Sequence, residues 1–337
     1  MLLKNKEVGV SVVIPCLNEE KYIHDCLKSL IENGYNKTEF EILVIDGGSI
    51  DGTIGIIKTL QNEFPHIKII SNPRKKTPFA LNLGIYNAVY EYILIAGAHA
   101  VYPRGYIAIL HQLIQQKGID VVGGAIETKV KIENAKSNAI KFVLSSKFGV
   151  GNSQFRIGAK ELIQVDTVPF GLYKKEVFEK SGLYNENLIR NHDIELSRRI
   201  QHHGFNIWLD PALKVTYFAR ETYRALSKNN YGNGYWNLRT LYITKRFKSL
   251  SLRHYIPLVF ILSLVVPLIL ASIFHSGFML VSLLSLFLYV FLVAYLSLSH
   301  FKHQNPIYLF WAFIALHFSY GFGSLSGALS PIKFWKK

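Results

Sequence analysis

The chain has 337 residues and a formal net charge of +15, from 38 lysine and arginine against 23 aspartate and glutamate residues. This length allows one large α/β domain and a further segment, since globular domains run to about 100 to 200 residues. A basic surface suits an anionic membrane face or a diphosphate-bearing substrate. No recognition-helix, RNA-binding-sheet or zinc-finger pattern accompanies the charge, so a nucleic-acid partner is not expected.

Charged residues are unevenly distributed along the chain. From Tyr255 onward there is no aspartate, glutamate or arginine, and Lys302, Lys333, Lys336 and Lys337 are the only formally charged residues. The preceding 254 residues therefore keep a formal charge of +11. The soluble part is basic in its own right.

Cysteine usage and the first residues indicate an intracellular N-terminal domain. Cys16 and Cys26 are the only cysteines, too few for a disulfide framework and without partners at metal-ligand spacing. Both are expected to be reduced and partly buried. The opening residues contain no apolar run long enough for a signal peptide, which predicts a cytoplasmic domain.

Strands alternate with helices in the N-terminal part. Predicted strands cover residues 10–14, 40–45, 67–70, 92–96 and 121–122, and predicted helices cover residues 22–30, 53–60, 78–89, 104–116 and 194–200. Such alternation predicts an α/β fold with a mainly parallel sheet and helices on both faces. Ligands of such sheets bind at the carboxyl ends of the strands.

Apolar stretches dominate the end of the chain. Residues 255–274 and 278–298 each reach the length of about 20 apolar residues that crosses a bilayer. A buried hairpin in a soluble core is the alternative, disfavoured because two uncharged stretches of this length follow one another. Residues 307–329 are long enough for a third span but contain His317 and the run GFGSLSGAL, so this stretch either crosses or is re-entrant.

The positive-inside rule gives a mixed answer for these spans. Basic residues before the first span and after the second agree on a cytoplasmic side; they are Lys245, Arg246, Lys248, Arg253 and Lys302. The three lysines after residue 330 would lie outside if the third stretch crosses. Tyrosine, tryptophan and basic residues in 223–242 are typical of a bilayer interface.

Asp46 follows a predicted strand in the segment FEILVIDGGSIDGT. A carboxylate at that position can accept hydrogen bonds from a ribose or a base. The same Asp-Gly-Gly-Ser sequence is also ordinary turn chemistry. Asp51 or Ser49 is expected to cap the next helix.

Four segments in order resemble family 2 glycosyltransferases, which are inverting enzymes with the GT-A fold. They are VSVVIPCLNEEKYIHDCLKSL, EILVIDGGSIDGT, SNPRKKTPFALNLGIYNA and VDTVPFGLYKKEVFEKSGLYNENLIRNHDIELSRRI, and the likeness continues into a fifth segment, YGNGYWNLRTL. The likeness covers most of residues 8–245 and is greatest for the bacterial exopolysaccharide branch, the succinoglycan-type transferases. It implies a cytoplasmic GT-A domain (1–221), an interfacial segment (222–254), a transmembrane region (255–329) and a basic tail (330–337) at the cytoplasmic membrane.

The resemblance also implies a nucleotide site. Carried over by position, the nucleotide contacts are Pro15, Asn18, Glu19, Asp46 and Gly48. Family members often have an aromatic residue two positions after the proline, where this chain has Leu17. A UDP-sugar is the favoured donor.

Asp193, in RNHDIEL, matches the general base of the family, which removes the proton of the attacking acceptor hydroxyl. A sugar hydroxyl is a poor nucleophile, so a positioned carboxylate assists the reaction. The alternative is a carboxylate that only stabilises the start of a helix. His192 stands where the family usually has Glu or Gln.

The metal motif departs from the family pattern. The fourth strand ends in Ala-Gly-Ala-His, with Gly97 where a carboxylate is expected and His99 as the remaining candidate ligand. Mg²⁺ and Mn²⁺ prefer oxygen ligands. His99 could hold Mn²⁺ weakly, basic residues Arg74, Lys75 and Lys76 could replace part of the metal charge, or the protein could be an inactive sugar-nucleotide-binding partner of another transferase. If metal-dependent chemistry survives, Gly97→Asp is expected to raise the rate.

Further positions match the donor-diphosphate and acceptor regions of the family. They are Arg74, Lys76, Asn82, Gly171, Trp236 and Arg239. Processive members carry Gln-x-x-Arg-Trp before the first span, an arrangement that this chain lacks. The sequence therefore predicts transfer of one or a few sugars to a lipid-linked or polysaccharide acceptor.

Overall fold

The computed structural model describes residues 7–245 and 250–330. Arg246, Lys248 and the three lysines of the predicted basic tail lie outside the described residues. Two compact units are present. The first comprises the described residues up to Glu127 together with Gln154–Phe218, and the second comprises Thr128–Ser153 and the described residues from Ala219 onward.

The strands belong to one sheet. They are β1 (Glu7–Cys16), β2 (Phe40–Asp46), β3 (Ile67–Ser71), β4 (Tyr90–Ile95), β5 (Ala100–Val101), β6 (Val121–Lys129), β7 (Ile163–Gln164), β8 (Leu172–Lys174) and β9 (Ile207–Phe218). Their order is β3-β2-β1-β4-β8-β6-β9-β5, with β7 paired to β9.

The α-helices follow the strands in the first unit and dominate the second. They are α1 (Ile23–Ile31), α2 (Thr53–Glu63), α3 (Thr77–Asn87), α4 (Tyr106–Lys117), α5 (Ala135–Val143), α6 (Lys147–Val150), α7 (Gln154–Ile157), α8 (Lys175–Ser181), α9 (His192–His202), α10 (Tyr223–Thr244), α11 (Ile256–Ile273), α12 (Phe278–Ser299) and α13 (Pro306–Leu329). All of the predicted helices up to residue 200 are confirmed within a few residues.

The sheet is parallel in one half and antiparallel in the other. Strands β3, β2, β1 and β4 pair in parallel, as predicted. Strand β8 is antiparallel to β4 and β6, and β9 is antiparallel to β5 and β7. Because Cys16 pairs with Asp46 and Val13 with Ile95, the carboxyl ends of β1, β2 and β4 meet at one edge.

Both faces of the sheet are covered by apolar packing. Val12 and Ile14 of β1 belong to a buried cluster with α1, α2 and α4, whereas Val13 between them belongs to a second cluster with α3, α8 and α9. Consecutive residues of a strand point to opposite faces of the sheet, and here both faces are buried. This explains the nearly continuous apolar sequence of β1 and β2.

The second unit contains three helices long and apolar enough to cross a membrane. These candidate spans are Leu252–Ile273, Phe278–Ser299 and Pro306–Leu329, close to the predicted stretches. Within the unit, 11% of each of the first two spans is buried, compared with 39% of the third. The first two therefore expose far more apolar surface than α13, which packs along α10 and against α5.

Candidate active site

The carboxylate of Asp46 organises the loop that follows β2. It is buried at the end of the strand and accepts hydrogen bonds from Gly48 N at 2.8 Å and from Ser49 Oγ at 2.6 Å. Ser49 N lies 3.1 Å from the same carboxylate. Gly48 has φ +85°, a conformation that favours glycine. Asp46 therefore has the turn-stabilising role that its Asp-Gly-Gly-Ser sequence allows.

Asn18 fastens the loop after β1 to the loop after β2. Its backbone N–H donates to Ser49 Oγ at 2.9 Å, and its side-chain oxygen accepts from Ile50 N at 2.9 Å. Asn18 has φ +55°, in the left-handed region that asparagine tolerates better than most residues. The predicted nucleotide residues Asn18, Asp46 and Gly48 thus form one connected structure.

The start of α2 is attached to the same structure. Asp51 accepts from the backbone N–H of Thr53, the first residue of α2, at 3.1 Å. The N-cap residue itself is Gly52, so neither Asp51 nor Ser49 occupies the predicted capping position. The hydrogen bond from the Thr53 hydroxyl lowers the pKa of Asp51. Thr53 Oγ1 also accepts from Glu19 N at 2.8 Å. Pro15, in β1 opposite Ile45, continues the sheet up to this edge.

Three basic residues precede α3 and are exposed. The side chain of Lys75 points toward Gly48, because a Cβ placed on Gly48 would lie 3.5 Å from Lys75 Cε. The guanidinium of Arg74 lies 5.4 Å from the ring centre of Phe79. Lys76 immediately precedes α3. Of the three residues, Lys75 is therefore the one seen to face the Asp46 loop.

Gly97 lies beneath an aromatic ring. A Cβ at this position would come within 2.7 Å of Phe170 Cε1. The Phe170 carbonyl accepts from Tyr106 Oη at 2.8 Å, and Phe170 itself has φ +49°. The hydroxyl of Tyr102 accepts from Gly97 N at 2.8 Å. The place of the expected family carboxylate is therefore occupied by packed aromatic side chains.

His99 has a carboxylate neighbour and an aromatic surround. Its Nδ1 lies 3.3 Å from Glu19 Oε1. The ring centres of Tyr22 and Tyr217 lie 6.2 Å and 5.3 Å from that of His99. Arg156 lies with its guanidinium 5.7 Å from the Tyr217 ring centre. Tyr217 therefore packs against both His99 and Arg156.

A divalent cation would find two protein ligands here, His99 and Glu19. Within residues 7–245 and 250–330 there is no group of three His, Cys, Asp or Glu side chains that could hold a metal ion. Mg²⁺ is commonly held by one or two carboxylates, with substrate phosphates and water as its other ligands. The pair fits an ion of that kind, held largely by the donor diphosphate.

Asp193 is exposed in the first turn of α9. Burial is the main cause of the raised pKa of Tyr173 in β8, and the negative charge of Asp193 raises that pKa further. Gly171, one of the positions predicted for the donor-diphosphate and acceptor regions, directly precedes β8. Burial lowers the pKa of His192, and the charge of Asp193 only partly opposes this.

Asn82 has a structural role in the described chain. Its amide donates to Tyr184 O and accepts from Tyr184 N, both at 2.9 Å, and also donates to Glu186. These bonds join α3 to the segment before α9. A donor contact by Asn82 stays a prediction. Gly171 accepts from Ile95 N at 3.0 Å, which continues the pairing of β4 with β8.

Trp236 and Arg239 lie in α10, which belongs to the second unit. Arg239 is buried, and its guanidinium lies 5.6 Å from the ring centre of Tyr235 and 5.9 Å from that of Trp236. Cation–aromatic packing of this kind stabilises a buried guanidinium. A role of either residue toward a substrate stays a prediction.

Sequence reasoning missed the surroundings of Gly97 and His99. Sequence patterns reveal neither the positive φ of Phe170 nor its contact with Gly97. Tyr217 contacts His99 because β5 pairs with β9. The hydrophobic periodicity of the sequence does not predict this pairing. Arg156 lies in a four-residue helix, too short for a recognisable pattern.

Comparison with known proteins agrees with this architecture. The model of the family described as "Glycosyl transferase family 2" matches residues 11–182. A Methanococcus voltae dolichyl N-acetyl-alpha-D-glucosaminyl phosphate 3-beta-D-2,3-diacetamido-2,3-dideoxy-beta-D-glucuronosyltransferase is 31% identical over 250 residues, covering 69% of this chain and 77% of that protein. The succinoglycan biosynthesis protein ExoA of Rhizobium meliloti is 30% identical over 225 residues, with 66% and 67% covered.

Solved structures share the fold at low sequence identity. The mannosyltransferase PcManGT from Pyrobaculum calidifontis, solved with GDP-Man and Mn²⁺, superposes with a TM-score of 0.59 at 14% identity, covering 97% of this chain and 91% of that one. S. aureus TarS 1-349 with UDP-GlcNAc gives 0.52 at 15% identity, with 95% and 91% covered. The family match and the sheet topology together identify the chain as a member of glycosyl transferase family 2, a glycosyltransferase with a GT-A-like fold.

Proposed function

We propose that the protein transfers one or a few sugars from a nucleoside-diphosphate donor, with a UDP-sugar favoured, to a hydroxyl of a lipid-linked acceptor, with inversion at the anomeric carbon. Two relatives support a lipid-linked or polysaccharide acceptor: one is named for a dolichyl-linked sugar phosphate and the other for succinoglycan biosynthesis. A growing polysaccharide is therefore the alternative acceptor. The observation that carries the proposal is the exposed carboxylate of Asp193, in the first turn of α9 and close to β8.

The reaction needs a base for the acceptor. The acceptor O–H gives its proton to the Asp193 carboxylate while its oxygen forms the new bond to the anomeric carbon. The bond between that carbon and the diphosphate oxygen breaks at the same time, and the electron pair leaves with the nucleoside diphosphate. Asp193 lies exposed in the first turn of α9, where an acceptor hydroxyl can approach it. No covalent intermediate is required.

The donor side uses the connected loops after β1 and β2. Asn18, Asp46 and Ser49 hold these loops in one conformation, so the nucleotide meets a preformed surface. Lys75, which faces Gly48, provides positive charge for the diphosphate. His99 and Glu19 would hold a divalent cation, which when bound neutralises charge on the leaving diphosphate.

The site of action that fits best is the cytoplasmic face of a membrane. The exposed apolar surfaces of α11 and α12 match a bilayer. Arg253 before α11 and Lys302 after α12 favour a cytoplasmic start and end for this helical hairpin. Nucleotide sugars are soluble donors, whereas a lipid-linked acceptor is confined to the bilayer, so an anchored enzyme can meet both.

The test is release of nucleoside diphosphate by the purified protein, measured with a panel of UDP- and GDP-sugars and lipid-linked acceptors. Asp193→Asn is expected to lower kcat by about 10²- to 10⁴-fold while donor affinity stays within about twofold. Asp25→Asn, a carboxylate change on the exposed face of α1, is the matched control and should leave kcat unchanged. Equal activity of wild type and Asp193→Asn would remove Asp193 as the base. Donor binding without release at any Mg²⁺ or Mn²⁺ concentration would contradict the proposed reaction.

A further inference from the structure

Helix α13 contacts the α11–α12 hairpin at one end of that hairpin. A Cβ on Gly321 would lie 2.3 Å from Ile261 and 2.5 Å from Pro257 O, both in the first turns of α11. The ring of Phe318 lies 5.4 Å from that of Phe260. On α12 the partners are Tyr289 and Val293, in its second half. This end of the hairpin is also the charged one, because Arg253 precedes α11 and Lys302 follows α12.

The first half of α13 is covered by a polar, lysine-bearing segment. The carbonyl of Phe148, in α6, accepts from His317 Nε2 at 2.9 Å, and the Phe148 ring packs on Phe313. Exposed Lys147 precedes Phe148 directly. His317 is at the midpoint of the 24-residue helix. A bilayer centred on α13 would therefore place Lys147 and the irregular backbone around it in hydrocarbon, where both are strongly disfavoured.

Helix α10 accompanies α13 along its whole length. Tyr223 Oη donates to Tyr308 O near the two N-terminal ends, and Tyr242 Oη donates to Ala328 O near the two C-terminal ends. The helices therefore run parallel. Any complete crossing by α13 would carry α10 with it, together with the cations and asparagines of α10: Arg224, Lys228, Arg239, Asn229, Asn230, Asn233 and Asn237.

We infer that α13 does not cross the bilayer, and that α10 and α13 together form a surface seated on the cytoplasmic leaflet beside a two-span α11–α12 hairpin. The partner of this surface is the headgroup region of an anionic bilayer. The α10–α13 pair packs beside the membrane-facing α11–α12 hairpin, and it carries both cationic side chains and exposed aromatic rings. The exposed rings are Tyr231, Tyr242, Tyr308, Trp311 and Phe322. This inference rests on the membrane location given under the proposed function.

Two crossings also remove the conflict in the positive-inside pattern. An even number of spans returns the chain after Ser330 to the side on which α11 begins. The lysines that follow in the sequence then obey the rule together with Arg253 and Lys302. Three crossings would place those lysines outside.

The side on which the chain ends is testable in the full-length protein. Alkaline phosphatase and green fluorescent protein are fused in turn after Lys337, and a cysteine is placed in the α11–α12 turn as Ser276→Cys. The expected result is a fluorescent, phosphatase-inactive C-terminus, with Ser276→Cys labelled by an impermeant maleimide in intact cells. The native Cys16 and Cys26 are buried, and the parent protein is the labelling control.

Each other outcome has a distinct meaning. An active phosphatase and a dark fluorescent protein would show a third crossing and overturn the inference. Failure to label Ser276→Cys would contradict the membrane hairpin on which the inference rests. Neither reading depends on sugar transfer, so a failure of the proposed reaction is detected separately by the release assay.

A pair of charge substitutions gives a second test. Phe322 of α13 and Leu288 of α12 are both exposed, 44% and 55% respectively. Leu288→Lys puts a charge at the middle of a span and is expected to lower the membrane-fraction yield by about tenfold or more. Phe322→Lys places its charge at the interface, so the yield should stay within about twofold of wild type. Equal losses in both variants would overturn the inference.

Discussion

The ring of Phe170 lies over Gly97 and fills the space in which a side chain at position 97 would begin. A Cβ there would approach Phe170 Cε1 to 2.7 Å. Phe170 is held from two sides, since Tyr106 donates to its carbonyl and the Tyr102 ring packs edge-on at 5.8 Å. The glycine and the phenylalanine therefore depend on each other.

Gly97→Asp alone is consequently expected to lower stability by about 1–3 kcal/mol, the usual cost of overpacking. The sequence alone predicts a higher rate for Gly97→Asp. The structure instead predicts a loss of stability, because the Phe170 ring leaves no space for the new carboxylate. Gly97→Asp combined with Phe170→Ala opens that room. The double variant is expected to bind Mn²⁺ in the presence of UDP about tenfold more tightly than wild type, measured by calorimetry.

Gly97→Ala separates the steric effect from the carboxylate. It should lower the thermal midpoint as much as Gly97→Asp does, with Mn²⁺ binding as weak as in wild type. A Gly97→Asp protein as stable as wild type would contradict the mutual dependence of Gly97 and Phe170.

The absence of the family carboxylate could be read from the sequence, but its replacement by an aromatic ring could not. Gly97 stands in a motif with fixed spacing, whereas Phe170 reaches it only after β8 has paired beside β4. Local patterns carry no information on such a long-range contact. The same applies to Tyr217, which meets His99 through the β5–β9 pairing.

The parallel half of the sheet was predictable from the sequence, whereas in the antiparallel half only the start of β6 was. Strands β1 to β4 are apolar runs bounded by turn residues, which makes them visible. Strand β9 contains Pro211, which argues against a strand by sequence, and β7 and β8 have only two and three residues. In β6, Gly123 and Gly124 end the visible pattern because neighbouring backbone passes close to both: a Cβ would lie 2.7 Å from Pro169 O at the first and 2.3 Å from Leu213 O at the second.

His99 and Glu19 give a second prediction about metal binding. His99→Ala is expected to weaken UDP-dependent Mn²⁺ binding by about tenfold, because one of two protein ligands is lost. Glu19→Gln should weaken it as well, since a neutral amide is a poorer ligand than a carboxylate. His24→Ala, an exposed imidazole on α1, is the control. Unchanged Mn²⁺ affinity in His99→Ala would exclude His99 as a ligand.

His192 gives a prediction about acid stability. Burial lowers its pKa below the ordinary value of 6.5, so the unfolded chain binds a proton more readily than the folded protein does. Stability contributed by neutral His192 is complete above about pH 6.5 and is lost as the pH falls below that value. His192→Gln is therefore expected to flatten the fall in thermal midpoint between pH 7.5 and 5.5.

His111 keeps a similar dependence in both proteins, since burial lowers its pKa as well. The comparison thus isolates His192. Identical pH profiles for wild type and His192→Gln would show that His192 does not titrate differently in the folded protein.

Glycines set the distance between α10 and α13. A Cβ on Gly323 would lie 2.1 Å from Tyr231 O, and one on Gly234 would lie 2.0 Å from Tyr320 O. Small residues at a helix interface allow the backbones to approach closely. Gly323→Ala is therefore expected to separate the pair and lower stability by about 1–3 kcal/mol. Thermal unfolding in detergent measures this.

Gly55→Ala is the matched control for this change. Gly55 is an exposed glycine of α2, and a Cβ placed on it would meet no neighbouring group of the described residues within 4 Å. Alanine there avoids the intrinsic cost of glycine in a helix, so stability is expected to rise by up to about 1 kcal/mol. The same substitution then has opposite signs at the two sites, since only Gly323 faces a neighbouring backbone. Stabilisation by Gly323→Ala would mean that the α10–α13 contact is looser than these distances require.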